Sequence, residues 1–214
     1  MNQKTYPHKI LSVLKKEYPG SKIALNYSNT IQLLVAIMLS AQCTDKRVNI
    51  VTASLFKKYK TAKDFANANI RQLEKEIYST GFYRNKAANI KKTCQIIVGK
   101  FNGKVPNTME EILTLPGVAR KTANIVLGNA YGLIVGIAVD THVGRLSQRL
   151  GLSKHKDPNK IEKDLMLLFP KKDWLSSTYY LIEHGRAVCK APVPICSKCI
   201  LMKLCPKVGV VNSK

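Results

Sequence analysis

The sequence predicts an all-α protein built as two helical layers, on three observations. Apolar residues recur every three or four positions along most of the chain. Glycine and proline breaks fall between those stretches. Only one run, "LIVGIAVD" (133–140), reads as a strand, and nothing evident pairs with it. It is therefore expected to be a connector between the layers.

The N-terminal segment, "MNQKTYPHKILSVLKKEYPG", is amphipathic and charged, without the apolar core of a secretory signal, and it breaks at Pro19-Gly20. The most apolar run, "IQLLVAIMLSA" (31–41), has about half the residues that span a bilayer, so it reads as a buried helix. Over 83–101, Ala87, Ile90, Cys94, Ile97 and Phe101 form one stripe, and Arg84, Lys86, Lys91 and Lys92 are assigned to the surface. Gly81 precedes this helix and Asn102-Gly103 closes it. Cys94 on its stripe reads as core, and Cys43 as structural. In 119–130, Ala119, Ala123, Val126, Leu127 and Ala130 repeat the pattern between Pro116-Gly117 and Gly132. Segments 142–150 and 161–169 do so again, with breaks at Gly151 and Pro170. No internal repeat, heptad seam or low-complexity linker interrupts the order.

The chain has 214 residues, enough for one or two domains with a real core. Apolar content of 45% is ordinary, whereas 35 Lys+Arg against 13 Asp+Glu gives +22. A basic excess beyond what solubility needs points to a polyanion, nucleic acid or an anionic membrane surface. With no secretory or membrane-spanning segment, a cytoplasmic protein is expected, nucleoid-associated if the source is bacterial. There the six cysteines stay reduced, and a cysteine cluster suits metal better than disulfides.

Such a cluster stands near the C-terminus. "CKAPVPICSKCILMKLC" sets Cys189, Cys196, Cys199 and Cys205 in a C-x6-C-x2-C-x5-C array. Four thiolates in one loop can wrap a single metal centre. Zinc usually takes two short knuckles, and only one exists here, so the wider arms favour a bulkier iron–sulfur cubane. Lys190, Lys198, Lys203 and Lys207 share the loop. They read either as a solvated face or, held rigidly, as a phosphate grip.

Two further stretches carry chemistry. "LTLPGVARKTANIVLG" (113–128) is a Pro-Gly turn leading into a helix, whose first amides sit at the positive end of the dipole and suit a phosphate. Lys121 falls in the first helical turn beside Arg120. A cation is disfavoured there, so its amine is either one more phosphate contact or, if desolvated, a nucleophile. "AVDTHVGRLSQRLG" then places Asp140 at the N-cap of the next helix. A carboxylate held ionised by that dipole could steady positive charge on a sugar ring while the amine attacks.

Taken in order, the hairpin with its lysine, the V-D-T-H segment and the four-cysteine array resemble the endonuclease III family of helix–hairpin–helix DNA glycosylases. The match covers nearly the whole chain, and the conjunction of motifs is far more specific than any one of them. The resemblance implies a two-layer helical DNA glycosylase fold with a DNA cleft between layers. One layer is a six-helix barrel at 22–132, containing the helix–hairpin–helix at about 108–130. The other joins 1–21 to 133–214 and carries a [4Fe–4S] cluster on Cys189, Cys196, Cys199 and Cys205, in a loop spanning 189–205. It implies Lys121 as nucleophile and Asp140 as its carboxylate. The implied reaction removes oxidised pyrimidines from double-stranded DNA and cleaves the abasic strand by β-elimination, with the protein acting as a monomer.

The damaged base must leave the stack before its sugar can be reached, and something must fill the gap. The family's Gln maps onto Gln42 and its apolar wedge onto Phe82. Read without the resemblance, these are a helix-end polar residue and a core aromatic. Gly117, Ala119 and Arg120 of the hairpin and Lys198 of the cysteine loop are implied DNA contacts. His142 is placed near the site, Arg145 as a phosphate or structural contact, and Arg186 as a buttress of the cluster. Ala119 stands where the family hairpin commonly has Gly, so a left-handed backbone there would strain the turn. Phe82 and Arg84 replace Leu and Asn of the best-known pattern. Two rivals remain: an adenine-mismatch glycosylase of the same fold, and a non-catalytic DNA-binding or redox-sensing module.

Overall fold

The structure, a computed structural model, describes residues 5–214; Met1 to Lys4 of the N-terminal segment lie outside the described residues. Among the described residues there are eleven α-helices and no strand. They are α1 (Thr5–Glu17), α2 (Thr30–Ser40), α3 (Asp45–Lys58), α4 (Ala62–Ala66), α5 (Ile70–Ile77) and α6 (Tyr83–Lys100), then α7 (Met109–Ile112), α8 (Arg120–Tyr131), α9 (Thr141–Arg149), α10 (Pro158–Leu168) and α11 (Trp174–Ala187). The all-α expectation holds. The strand-like run forms no strand; Ile137 and Val139 are buried in an irregular segment. No described helix is long and apolar enough to cross a membrane.

The helices start where short polar side chains can satisfy first-turn amides. Asn29, Thr44, Asn69, Thr108 and Asp157 each accept from the third residue beyond. Thr61 and Asp64 form a reciprocal capping box. α8 stops at Gly132, whose φ of 67° lets its N–H turn back to Leu127 O.

The chain divides into two compact units. The first runs without interruption from Ala24 to Leu133 and holds α2 to α8. Its centre is α2, buried from Ile31 to Leu39 and packed against α3, α6 and α8. α6 covers α4 and α5 with Ala87, Ile90, Cys94 and Ile97, all fully buried. Ile90 and Ile97 each contribute about 2 kcal/mol by leaving water.

The second unit joins Met1–Ile23 to Ile134–Lys214. Here α11 packs on α9 and α1, and α10 packs on α9. Ile10, Leu11 and Leu14 of α1 share a core with Val143, Leu146, Leu181 and Leu201, so both ends of the chain build this unit.

Candidate active site and cysteine centre

The hairpin is built by local constraints. The Val118 N–H donates to Leu115 O at 3.2 Å, and the Thr93 hydroxyl donates to Pro116 O at 2.8 Å, pinning the turn to α6. Gly117 has φ of 74°, and a Cβ there would lie 3.1 Å from Asn89 Nδ2. Ala119 sits at the N-cap of α8 with φ of −91° and ψ of 167°. That is ordinary extended backbone, so the strain expected of alanine at this position does not arise. Lys121 stands in the first turn of α8 and is exposed. The dehydration set as the condition for a reactive amine would have to come from whatever covers this exposed side chain. Arg120 beside it is half-buried.

Asp140 is the N-cap of α9: its Oδ1 accepts from the Val143 N–H at 2.8 Å. This leaves the other carboxylate oxygen of a half-exposed side chain for further use. His142 and Arg145 follow on the same helix, with His142 Nδ1 3.2 Å from Arg145 Nη2. Arg145 donates to Cys189 O at 3.1 Å and to Gly185 O at 3.1 Å, so of its two expected roles the structural one is filled. A Cβ on Gly185 would lie 2.9 Å from His142 Nδ1; glycine here lets α9 and α11 close on that pair.

Gln42 and Phe82 share an unusual state. Both are exposed, Phe82 by 63%, and both are non-glycine residues in the left-handed region, at φ of 53° and 47°. Phe82 is therefore not a core aromatic. Sequence reasoning placed Lys86 on the surface, and the structure overturns that. It is 6% exposed, and its ammonium donates to Leu39 O at 2.7 Å and Thr80 O at 2.8 Å. Burial pushes its pKa down, partly offset by the Cys43 thiol. The signal was available: residues 86, 90, 93 and 97 share helical spacing, so Lys86 belongs to the buried stripe.

The four tail cysteines line one cavity, otherwise apolar except for Arg149, His184 and Lys207. Leu201 between them is fully buried and anchors the loop in the second unit's core. Burial pushes the Cys199 and Cys205 thiols up, and the neighbouring thiols push each of them further. Four thiolates can share this cavity only if a cation neutralises them. Among the described residues no three His, Cys, Asp or Glu side chains are placed to hold one metal ion, while all four thiols face the same cavity.

Nitrogens approach three of the four sulfurs. Arg149 Nη1 lies 3.4 Å from Cys189 Sγ, and the Lys207 N–H lies 3.3 Å from Cys205 Sγ. His184 Nε2 lies 3.3 Å from Cys199 Sγ, while Tyr18 Oη lies 3.0 Å from its Nδ1. Burial lowers the His184 pKa to about 4, so the ring is neutral and its single N–H serves one of two neighbours, the Tyr18 hydroxyl at Nδ1 or the Cys199 sulfur at Nε2. Arg149 also donates to Lys190 O at 2.7 Å and Pro192 O at 3.0 Å. Arg149 and Arg145 thus buttress the cysteine loop, and Arg186 is exposed with its Nη1 3.9 Å from Glu183. Nothing in the sequence separates Arg149 from the other arginines; only the fold brings it to the loop. Lys198 is exposed on the short turn Cys196–Lys198.

Residues 35–171 match the family model of the HhH-GPD superfamily of base excision DNA repair proteins. The chain is 56% identical to endonuclease III of Synechocystis sp. (strain ATCC 27184 / PCC 6803 / Kazusa), over 92% of its length and 90% of that relative. The chain belongs to the endonuclease III family. A second member, from Bacillus subtilis (strain 168), is 47% identical over 88% of this chain and 86% of its own. Solved endonuclease III structures agree in fold. A trapped endonuclease III–DNA covalent intermediate with an estranged adenine matches with a TM-score of 0.92 and 44% identity, covering 97% of both chains. A non-covalent endonuclease III–DNA complex matches equally, again with a TM-score of 0.92. A thermostable thymine-DNA glycosylase, at 23% identity and a TM-score of 0.80, shares the fold.

Proposed function

We propose that this chain is a bifunctional DNA glycosylase and AP lyase of base excision repair, acting on oxidised pyrimidines and abasic sites in duplex DNA. One observation carries the reading: in an endonuclease III chain, Lys121 stands exposed on the first turn of the helix that follows the hairpin. The family match favours endonuclease III over both rivals, the adenine-mismatch glycosylase and the non-catalytic module. That a relative has been trapped as a covalent DNA intermediate fits an amine nucleophile.

In this reading Lys121 Nζ attacks C1′ of the extruded nucleotide. The new C–N bond forms as the glycosidic bond breaks, and the base leaves with that electron pair. Opening of the sugar ring gives an imine between Lys121 and C1′. Loss of a C2′ proton then expels the 3′ phosphate, and water later frees the enzyme. Asp140, at the head of α9, steadies the cation that develops at the sugar. DNA closing over Lys121 excludes water and supplies the dehydration that the free protein lacks. Gln42 and Phe82 fill the gap in the stack. The amides near Gly117 and Ala119, with Arg120 and Lys198, take phosphates, while His142 and Arg145 hold α9 against α11.

The unit from Ala24 to Leu133 is the barrel with the helix–hairpin–helix, and the unit built from both chain ends carries the cluster. Cys189, Cys196, Cys199 and Cys205 would hold a [4Fe–4S] group, which supplies a rigid brace for the basic loop. All these parts come from one chain, in keeping with a cytoplasmic monomer, nucleoid-associated in a bacterium. Borohydride trapping on a duplex with thymine glycol or an abasic site tests the reading. A covalent adduct with the native chain, absent from Lys121→Gln, is expected; an equal adduct with both proteins, or none with either, refutes it.

A further inference from the structure

We infer that Lys86 is a positioning residue for base extrusion: its one ammonium clamps together the two turns that carry Gln42 and Phe82. The inference rests on the function proposed above and adds to it a residue that touches no DNA.

The geometry is specific. Leu39 O lies in the last turn of α2, three residues before Gln42, where the helix has run out of amides to meet its carbonyls. Thr80 O closes the short helix Tyr78–Thr80, two residues before Phe82. Lys86 reaches both from the first turn of α6. A cation is also what the C-terminal end of α2 favours.

A buried ammonium is costly, and an apolar side chain of similar length would fill the same place on the stripe without that cost. What it would lose is the link between the turns. Each turn then delivers a non-glycine residue at positive φ, a backbone state that persists only where the surroundings over-determine it. A single group that bonds just upstream of both residues provides that determination, and it fixes the spacing of the two side chains relative to each other. Simultaneous insertion into one gap in a base stack requires such a fixed spacing.

The test separates positioning from mere support of the fold. Lys86→Met is measured in the native background and in Gln42→Ala/Phe82→Ala, by single-turnover excision from a thymine glycol duplex. In the native background a loss of about tenfold to a hundredfold is expected. With both wedges gone the same substitution costs less than about twofold, because nothing remains to be positioned. On a single-stranded abasic oligonucleotide, which needs no extrusion, borohydride adduct forms at the native rate. Equal losses in both backgrounds, or an equal loss on the single strand, overturn the inference. If Lys86→Met loses its helical circular dichroism, Lys86→Gln, which is uncharged and one bond too short to reach both carbonyls, replaces it under the same criterion. Failure of the function itself reads differently: the native chain then forms no adduct on either substrate.

Discussion

Gly117→Ala puts the hairpin to a quantitative test. The native φ of 74° lies where an L side chain costs about 1–2 kcal/mol. The new Cβ would also meet Asn89 at 3.1 Å from Nδ2 and 3.3 Å from Cβ. Asn89 belongs to α6 and can give only by moving the helix or its own rotamer, which adds about 1 kcal/mol. Stiffening the unfolded chain returns about 0.5–1 kcal/mol. The net expectation is a loss of about 1.5 kcal/mol. Urea unfolding followed by circular dichroism, with an unchanged slope, reads it directly. Gly99→Ala is the control: Gly99 lies within α6, and a Cβ there would find nothing within 4 Å. That substitution stabilises by up to about 1 kcal/mol. Adding Asn89→Ala to Gly117→Ala removes the Nδ2 and Cγ contacts but leaves the Cβ of residue 89 at 3.3 Å and the backbone strain, and so recovers a small part of the loss. A Gly117→Ala protein with the native midpoint would refute both the left-handed turn and its seat on α6.

Asp140→Asn keeps an oxygen for the Val143 N–H, so its melting curve stays native while excision falls about a hundredfold. Asp140→Ala loses the same activity and a further stability of about 1 kcal/mol, which the same two measurements separate. Alkaline pH should weaken the first unit through Cys94, whose thiol burial raises from 9.0 to about 12. The folded thiol keeps its proton while the unfolded one loses it above pH 9. This stability is therefore complete below pH 9 and lost towards pH 12, at about 1.4 kcal/mol per pH unit. The gap between native and Cys94→Ala urea midpoints should close across that window; a constant gap would rule out the buried thiol.

Much of this was legible in the residues. Periodic stripes located α6, α8, α9 and α10, because helices bury one face, and glycines or, for α10, Pro170 marked their ends. Asp140 could be read as a cap because short polar side chains do that work locally. Lys86 was misread because lysine is so rarely buried that residue type outweighed a position inside the stripe. Backbone states at Ala119, Gln42 and Phe82 depend on how the turns pack and leave no trace in composition. Arg149 and His184 reach the cysteine loop through tertiary contacts whose partners lie 40 and 15 residues away in sequence, beyond any local spacing rule.

The split make-up of the second unit imposes an order on synthesis. Ala24–Leu133 is contiguous and can fold as soon as it leaves the ribosome. α1 emerges earlier still, yet Ile10, Leu11 and Leu14 find their first partners only when residues 137–152 have been made, and their last with Leu181 and Leu201. A nascent chain therefore exposes the apolar face of α1 with nowhere to dock. Closure of this unit thus comes last, and a half-made polypeptide cannot complete it.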